Sequence, residues 1–164
     1  SVKLRAEQQG ECVMTQHDIL TTREMGPGDF EAWFPLWGQY LALNQTRMRW
    51  TDRTALFRKL SHREGNAGAM VVEYKGEMVG IAHFERHESP YAFENAYVVQ
   101  DLYISPDAQA QQAGSALVRA IYQQGMQDGA PLIYWMAAEA SIRGQDAQAA
   151  VALTSPFLQF RKAA

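Results

Sequence analysis

The sequence predicts a mixed α/β (α+β) domain of three layers, a central sheet with helices on both faces, and three observations lead there. The first is the stretch 100–117, which reads as a strand, a short polar loop and a helix in immediate succession. The second is a pair of apolar runs, 69–74 and 78–87, joined by Lys75-Gly76, a β-hairpin signal. The third is the order of elements: strand, two helices, three strands, helix, strand, helix, strand. That order mixes antiparallel hairpins with a strand-helix-strand crossover.

Residues 1–16 are polar, carry Gly10 in the middle and show no clean period. They read as a disordered N-terminal extension with Met14 a candidate start, leaving 17–164 as a single domain. Residues 19–25 suit a first strand, which Gly26-Pro27-Gly28 breaks before Asp29, a good N-cap. The helix that follows carries Phe30, Trp33, Phe34, Leu36, Trp37, Tyr40, Leu41 and Leu43, with a kink expected at Pro35. A loop over 44–50 leads to Thr51, read as the cap of a second helix reaching about Arg63, with Leu56, Phe57 and Leu60 inward. After a turn-rich break at 65–68 come the hairpin strands and a loop over 88–95. In the next strand, Val98, Val99, Leu102, Tyr103 and Ile104 form a β-branched and aromatic run that Ser105-Pro106 ends. The helix after it repeats apolar residues at Ala113, Ala116, Leu117, Ala120 and Ile121, and stops near Asp128-Gly129 with Pro131 just beyond. Residues 132–136 read as a buried strand, 142–153 as a helix interrupted by Gly144, and 157–161 as a closing strand.

With 164 residues, 47% of them hydrophobic, the chain can bury a core without a disulfide or structural metal. Its single cysteine, Cys12, leaves no intramolecular disulfide to form and suits a reducing cytoplasm, the expected location. No apolar run approaches the roughly 20 residues needed to cross a bilayer, so no membrane partner is expected. A net charge of −3 and a pI near 5.8 provide no electrostatic footprint for nucleic acid. Arg47, Arg49, Arg53, Arg58, Lys59 and Arg63 read first as a solvated helix face, with a local basic patch that meets an anionic substrate or a CoA phosphate as the alternative.

Three carboxylates or bases stand out. Asp101 lies inside an apolar strand, beside Tyr103 on one face if alternation holds, while Leu102 and Ile104 share the other. A carboxylate there needs a partner or a role. His83 alternates with Ile81 and Val79, which puts it on an apolar face, where a histidine is either a satisfied core residue or a base at neutral pH. Glu139 follows the 132–136 strand and is a third candidate for the same cleft. No metal site is visible, since no cysteine pair exists and His83 and His87 sit four apart on a strand.

The run Asp101-Leu102-Tyr103-Ile104-Ser105-Pro106 and the later Gly114-Ser115-Ala116-Leu117 resemble, in register, the signature of the GCN5-related N-acetyltransferases (GNAT), roughly Asp-Leu-Tyr-Val-x-Pro-x-x-Arg-Gly-x-Gly-x-Gly-x-x-Leu. Gln109 stands where that family has Arg or Gln. Ala110 and Gln112 replace glycines, so the loop that meets the acyl-CoA pyrophosphate is degenerate. The resemblance implies a splayed, mixed and mostly antiparallel sheet, with acetyl-CoA or another acyl-CoA as co-substrate and a small amine as acceptor. It implies pantetheine pairing with the main chain of Leu102, Tyr103 and Ile104. Pyrophosphate would meet the N–H groups of Gln109, Ala110, Gln111, Gln112, Ala113, Gly114 and Ser115, and the acceptor would meet Trp37 and Tyr40 on the first helix. At the family's asparagine and tyrosine near the thiolate stand Ser141 and Gln148. Three readings remain open at this point: an N-acyltransferase with an altered cofactor loop; a fold relative that has lost or changed its CoA chemistry, either a non-catalytic binding protein or a biosynthetic enzyme of different reaction type; or an enzyme whose acyl donor is not CoA, such as an aminoacyl-tRNA, which the acidic balance makes unattractive, or a carrier protein. Glutamine- and alanine-rich surfaces near 109–112 and 145–150 are candidate homodimer contacts.

Overall fold

The computed structural model describes residues 20–88, 95–106, 112–130 and 132–135. The expected N-terminal extension, the helix over 142–153 and the closing strand over 157–161 lie outside these. Within them the chain runs β1 (Leu20–Glu24), a 3-10 turn (Pro27–Asp29), α1 (Phe30–Leu43), α2 (Trp50–Ser61), β2 (Ala67–Tyr74), β3 (Glu77–Glu88), β4 (Asn95–Ile104), α3 (Ala113–Gln127) and β5 (Leu132–Trp135). The five strands form one sheet in the order β1-β2-β3-β4-β5. The first three pairings are antiparallel and β4–β5 is parallel, as the crossover through α3 requires.

Strand alternation divides the core in two. Ala67, Ala69 and Val71 of β2 face α1 and α2, where they meet Trp33, Leu36, Trp37, Leu41, Phe57 and Leu60. Met70 and Val72 face α3, where they meet Phe84, Tyr97, Leu117 and Ile121. A sheet buried on both faces explains why β2 is apolar at nearly every position instead of alternately.

Two bulges shift this phase. On β3, Val72 pairs with Gly80 and Glu73 with Met78, so Val79 is an extra residue. Val79 packs on the α3 side, and a Cβ on Gly80 would meet Ile104 and Val72, both on that side as well. The expected common face of Val79, Ile81 and His83 is therefore corrected: Val79 lies opposite the other two, because a bulge turns two successive residues to one face. On β4, His83 pairs with Asp101 and Phe84 with Val99, leaving Gln100 as the extra residue. Before this bulge Tyr97 and Val99 face α3; after it, Leu102 and Ile104 do.

Other local expectations shift by small amounts. Lys75 and Gly76 both have positive φ (52° and 82°), the geometry of a two-residue type I′ hairpin. Helix α1 runs unbroken through Pro35; both Pro35 and Glu31, whose carbonyl loses its intrahelical donor, face solvent, where water can substitute. Asp29 occupies the α1 cap position but turns its carboxylate away from the helix, accepting from the Gly26 N–H at 2.7 Å and pairing with Arg23 at 2.7 Å. The Arg23 bond dominates and outweighs burial, holding the Asp29 carboxyl below the usual carboxylate range. Helix α2 begins at Trp50 with Arg49 as its extended N-cap, two residues ahead of the expected cap Thr51, and ends at Ser61. The end of α3 is as expected: Gly129 (φ 67°) donates to Met126 O and Ala130 N–H to Gly125 O at 2.7 Å, closing a Schellman motif. Strand β5 is less buried than expected, with Leu132 and Ile133 half-buried and Tyr134 exposed, because it sits at the sheet margin of the described residues.

Candidate active site

The β4 bulge places Asp101 on the α1/α2 side of the sheet, directly across from His83. Imidazole Nδ1 lies 3.1 Å from Asp101 Oδ2, and Nε2 lies 3.0 Å from the indole nitrogen of Trp33. An indole N–H can only donate, so Nε2 accepts, and the single proton of neutral His83 sits on Nδ1 and is donated to Asp101. His83 is buried at 2% exposure, with the Trp37 ring 4.8 Å away between centroids.

The Tyr40 hydroxyl lies near enough to act on the Asp101 carboxylate. Burial works against the Asp101 charge, but the His83 bond and the Tyr40 hydroxyl outweigh it, and the carboxyl stays below its ordinary range. Burial, followed by the Asp101 contact, drives the Tyr40 phenol well above its ordinary value. The Asp101 side chain keeps 23% of its surface exposed, so an ionised carboxylate reaches the surface from an otherwise apolar wall.

That wall is aromatic. Trp33, Trp37 and Tyr40 stack in sequence along α1, with centroid separations of 5.8 and 5.0 Å, and Tyr103 meets Tyr40 edge-on. The Tyr103 hydroxyl donates to Gln39 Oε1 at 3.0 Å. Tyr40 is half-buried; Trp37 is buried, and its indole N–H has no partner among the described residues.

The structure therefore brings together Asp101, His83, Tyr40, Trp37 and Tyr103 out of the sequence-derived set. Leu102 and Ile104 lie on the same strand with side chains in the α3 core, leaving their main chain at the strand edge. Strand β5 pairs with β4 only from Ala96 opposite Leu132 to Val99 opposite Trp135. Among the described residues, β4 beyond Val99 has no strand neighbour on that side. Ala113 is buried at the start of α3, Gln112 is its exposed N-cap, and Ser115 Oγ donates to the Gln112 carbonyl at 3.0 Å. The first-turn N–H groups of Ala113, Gly114 and Ser115 have no intrahelical acceptor, as at any helix start. Gln109, Ala110, Gln111, Glu139, Ser141 and Gln148 lie outside the described residues. Trp33 and Gln39 were not singled out from sequence; Trp33 belongs to a helical aromatic stripe, and nothing in a stripe marks one N–H as functional.

The described residues hold no group of three or more metal-ligating side chains. Most basic residues of α2 and its flank are paired: Arg49 with Asp52, Arg58 with Glu64, Lys59 with Glu85, and Arg63 with Glu24 and Asp128. No helix among the described residues is long and apolar enough to cross a membrane.

Residues 30–146 match the acetyltransferase (GNAT) family. The chain belongs to that family. This GNAT chain is 26% identical over 131 residues, 79% of its length and 81% of the relative's, to a D-amino-acid N-acetyltransferase of Saccharomyces cerevisiae. Among solved structures it is similar to an aminoglycoside acetyltransferase from an uncultured soil metagenomic sample in complex with sisomicin, with a TM-score of 0.74, 18% identity, and coverage of 92% of this chain and 99% of that one. It is also similar to an aminoglycoside N-acetyltransferase in complex with CoA, with a TM-score of 0.71, 14% identity, and coverage of 87% and 94%. At these identities the structural likenesses establish the fold, including the mixed sheet between helices.

Proposed function

We propose that this GNAT protein is an N-acetyltransferase that moves an acetyl group from acetyl-CoA to the primary amine of a small molecule. The observation that carries the reading is Asp101: an ionised, partly exposed carboxylate, set by a bulge beside a strand edge that no described strand pairs and walled by Tyr40 and Tyr103. A carboxylate among aromatic faces suits a cationic amine, which it attracts by charge while the rings exclude competing water.

Acetyl-CoA supplies the acetyl thioester. The residues present fit it in two places: the extended main chain of Leu102, Tyr103 and Ile104 offers an edge for amide pairing, and the first-turn N–H groups of α3, which have no intrahelical acceptor, suit an anion. In the overall reaction a C–N bond forms to the acetyl carbon and its C–S bond breaks. Of the three protons on the ammonium, one stays on the amide, one ends on the thiol and one goes to solvent. Asp101 holds the ammonium and aligns its nitrogen; with its own affinity for protons depressed, it orients the amine better than it stores the proton.

The name of the yeast relative makes D-amino acids the first acceptors to try, and the names of the structural neighbours make aminoglycosides the second. The test is calorimetric titration with acetyl-CoA and free CoA, then thiol release with both amine panels. Micromolar binding, about −8 kcal/mol, with amine-dependent thiol release is expected. No binding up to millimolar CoA and no thiol release would sink the reading in favour of a fold relative with changed chemistry.

A further inference from the structure

We propose that Trp33 is a positioning residue for the acceptor site, acting through His83, and that His83 is the hydrogen-bond bridge between Trp33 and Asp101. The proposal rests on Asp101 being the group that meets the amine, and extends it two residues into the core.

The chain of donors runs one way. Trp33, fully buried on α1, donates to Nε2, and His83 on β3 donates from Nδ1 to Asp101 on β4. The first bond joins the helix layer to the sheet and the second joins two neighbouring strands, so the carboxylate is held by β3 and, through it, by α1. The part of the side chain that stays exposed leaves lone pairs for an acceptor.

Around the ring stand Asp101 from β4, the indoles of Trp33 and Trp37 from α1, and Ala69 of β2 opposite it in the sheet. The Trp33 N–H can only donate, which fixes Nε2 as the acceptor and Nδ1 as the nitrogen that faces Asp101.

The spectroscopic arm uses the full chain labelled with 15N-histidine. His83 is expected to show a protonated Nδ1 and a bare Nε2. The Nε2–H tautomer overturns the proposal whether or not any acceptor has been found. The functional arm compares Trp33→Phe, His83→Gln and His83→Leu. Trp33→Phe is expected to lower kcat/KM for the amine about tenfold to a hundredfold, with KM for acetyl-CoA within about twofold, and to shift His83 to a mixture of tautomers. A glutamine amide carries both an acceptor and a donor, so His83→Gln is expected to keep at least about tenfold more activity than His83→Leu. Equal loss in the two folded variants, or a wild-type kcat/KM in folded Trp33→Phe, overturns the bridge. Absence of acetyl transfer in the wild type, with the expected tautomer present, counts against the proposed function and not against the hydrogen-bond chain.

Discussion

Gly80→Ala tests whether the two bulged strands are packed as tightly as their geometry indicates. A Cβ at this position would stand 2.4 Å from Ile104 Cδ1, 2.8 Å from Val72 Cγ1 and 3.0 Å from the Tyr103 carbonyl oxygen. Carbon atoms in ordinary contact lie about 3.5–4.0 Å apart, so the neighbours must retreat by about an ångström. Ile104 Cδ1 can swing away, but Val72 is fully buried and stiff at χ1, and the Tyr103 carbonyl belongs to the β3–β4 pairing. Overpacking of this kind costs about 1–3 kcal/mol, less up to about 1 kcal/mol regained by restricting the unfolded chain. A net loss of about 1–2 kcal/mol lowers Tm by about 2–8 °C for a chain of this size, read by circular dichroism or calorimetry. Ile104→Val removes the nearest clashing atom, so the double variant is expected to recover part of the loss beyond additivity. An unchanged or raised Tm in Gly80→Ala, or strict additivity in the pair, would refute the reasoning.

Three further outcomes are expected. Asp101→Asn, which removes the charge and keeps the shape, lowers kcat/KM for the amine about a hundredfold, ~3 kcal/mol, in a thiol-release assay at saturating acetyl-CoA; a loss under threefold would exclude Asp101 from the amine site. Asp128 is held below its ordinary value: burial opposes its charge, but hydrogen bonds from Tyr97 and Arg63 outweigh that cost. Asp29 and Asp101 are lowered too, so the unfolded chain protonates first, and the stability these groups add is present above about pH 3.8 and lost as pH falls through their lower folded values. Tm should therefore decline on acidification below that point, and less steeply in Asp128→Asn; parallel declines would argue against it. Lys75→Asn places a residue that tolerates positive φ in the hairpin turn and should raise Tm by about 2 °C, with no gain counting against the type I′ assignment.

The sequence made the order of elements legible because long apolar periods and breakers are local signals. The hairpin at Lys75-Gly76 and the stop at Gly129 are read from two or three residues each, and both fall where expected. The site was legible only in part. Alternation after Gln100 correctly puts Asp101 and Tyr103 on one face and Leu102 and Ile104 on the other. The bulges at Val79 and Gln100 were not visible, since an extra residue in a strand leaves no compositional mark and exists only relative to a partner strand. For the same reason the sequence named His83 and Asp101 separately without pairing them, and gave Trp33 no role beyond bulk.

The bulges at Val79 and Gln100 also bear on how such a domain can change over generations. Between them, Ile81, His83, Asp101 and Tyr103 look toward α1, while Ala82, Leu102 and Ile104, interleaved with them, support α3. Ile81 and His83 are as buried on the α1 side as Ala82 is on the α3 side, so selection for stability weighs on both parities of β3. On β4 the α1-facing Asp101 and Tyr103 are only half-buried, and under the proposed function it is there, above Leu102 and Ile104, that contacts with a new acceptor can vary at least cost to the core.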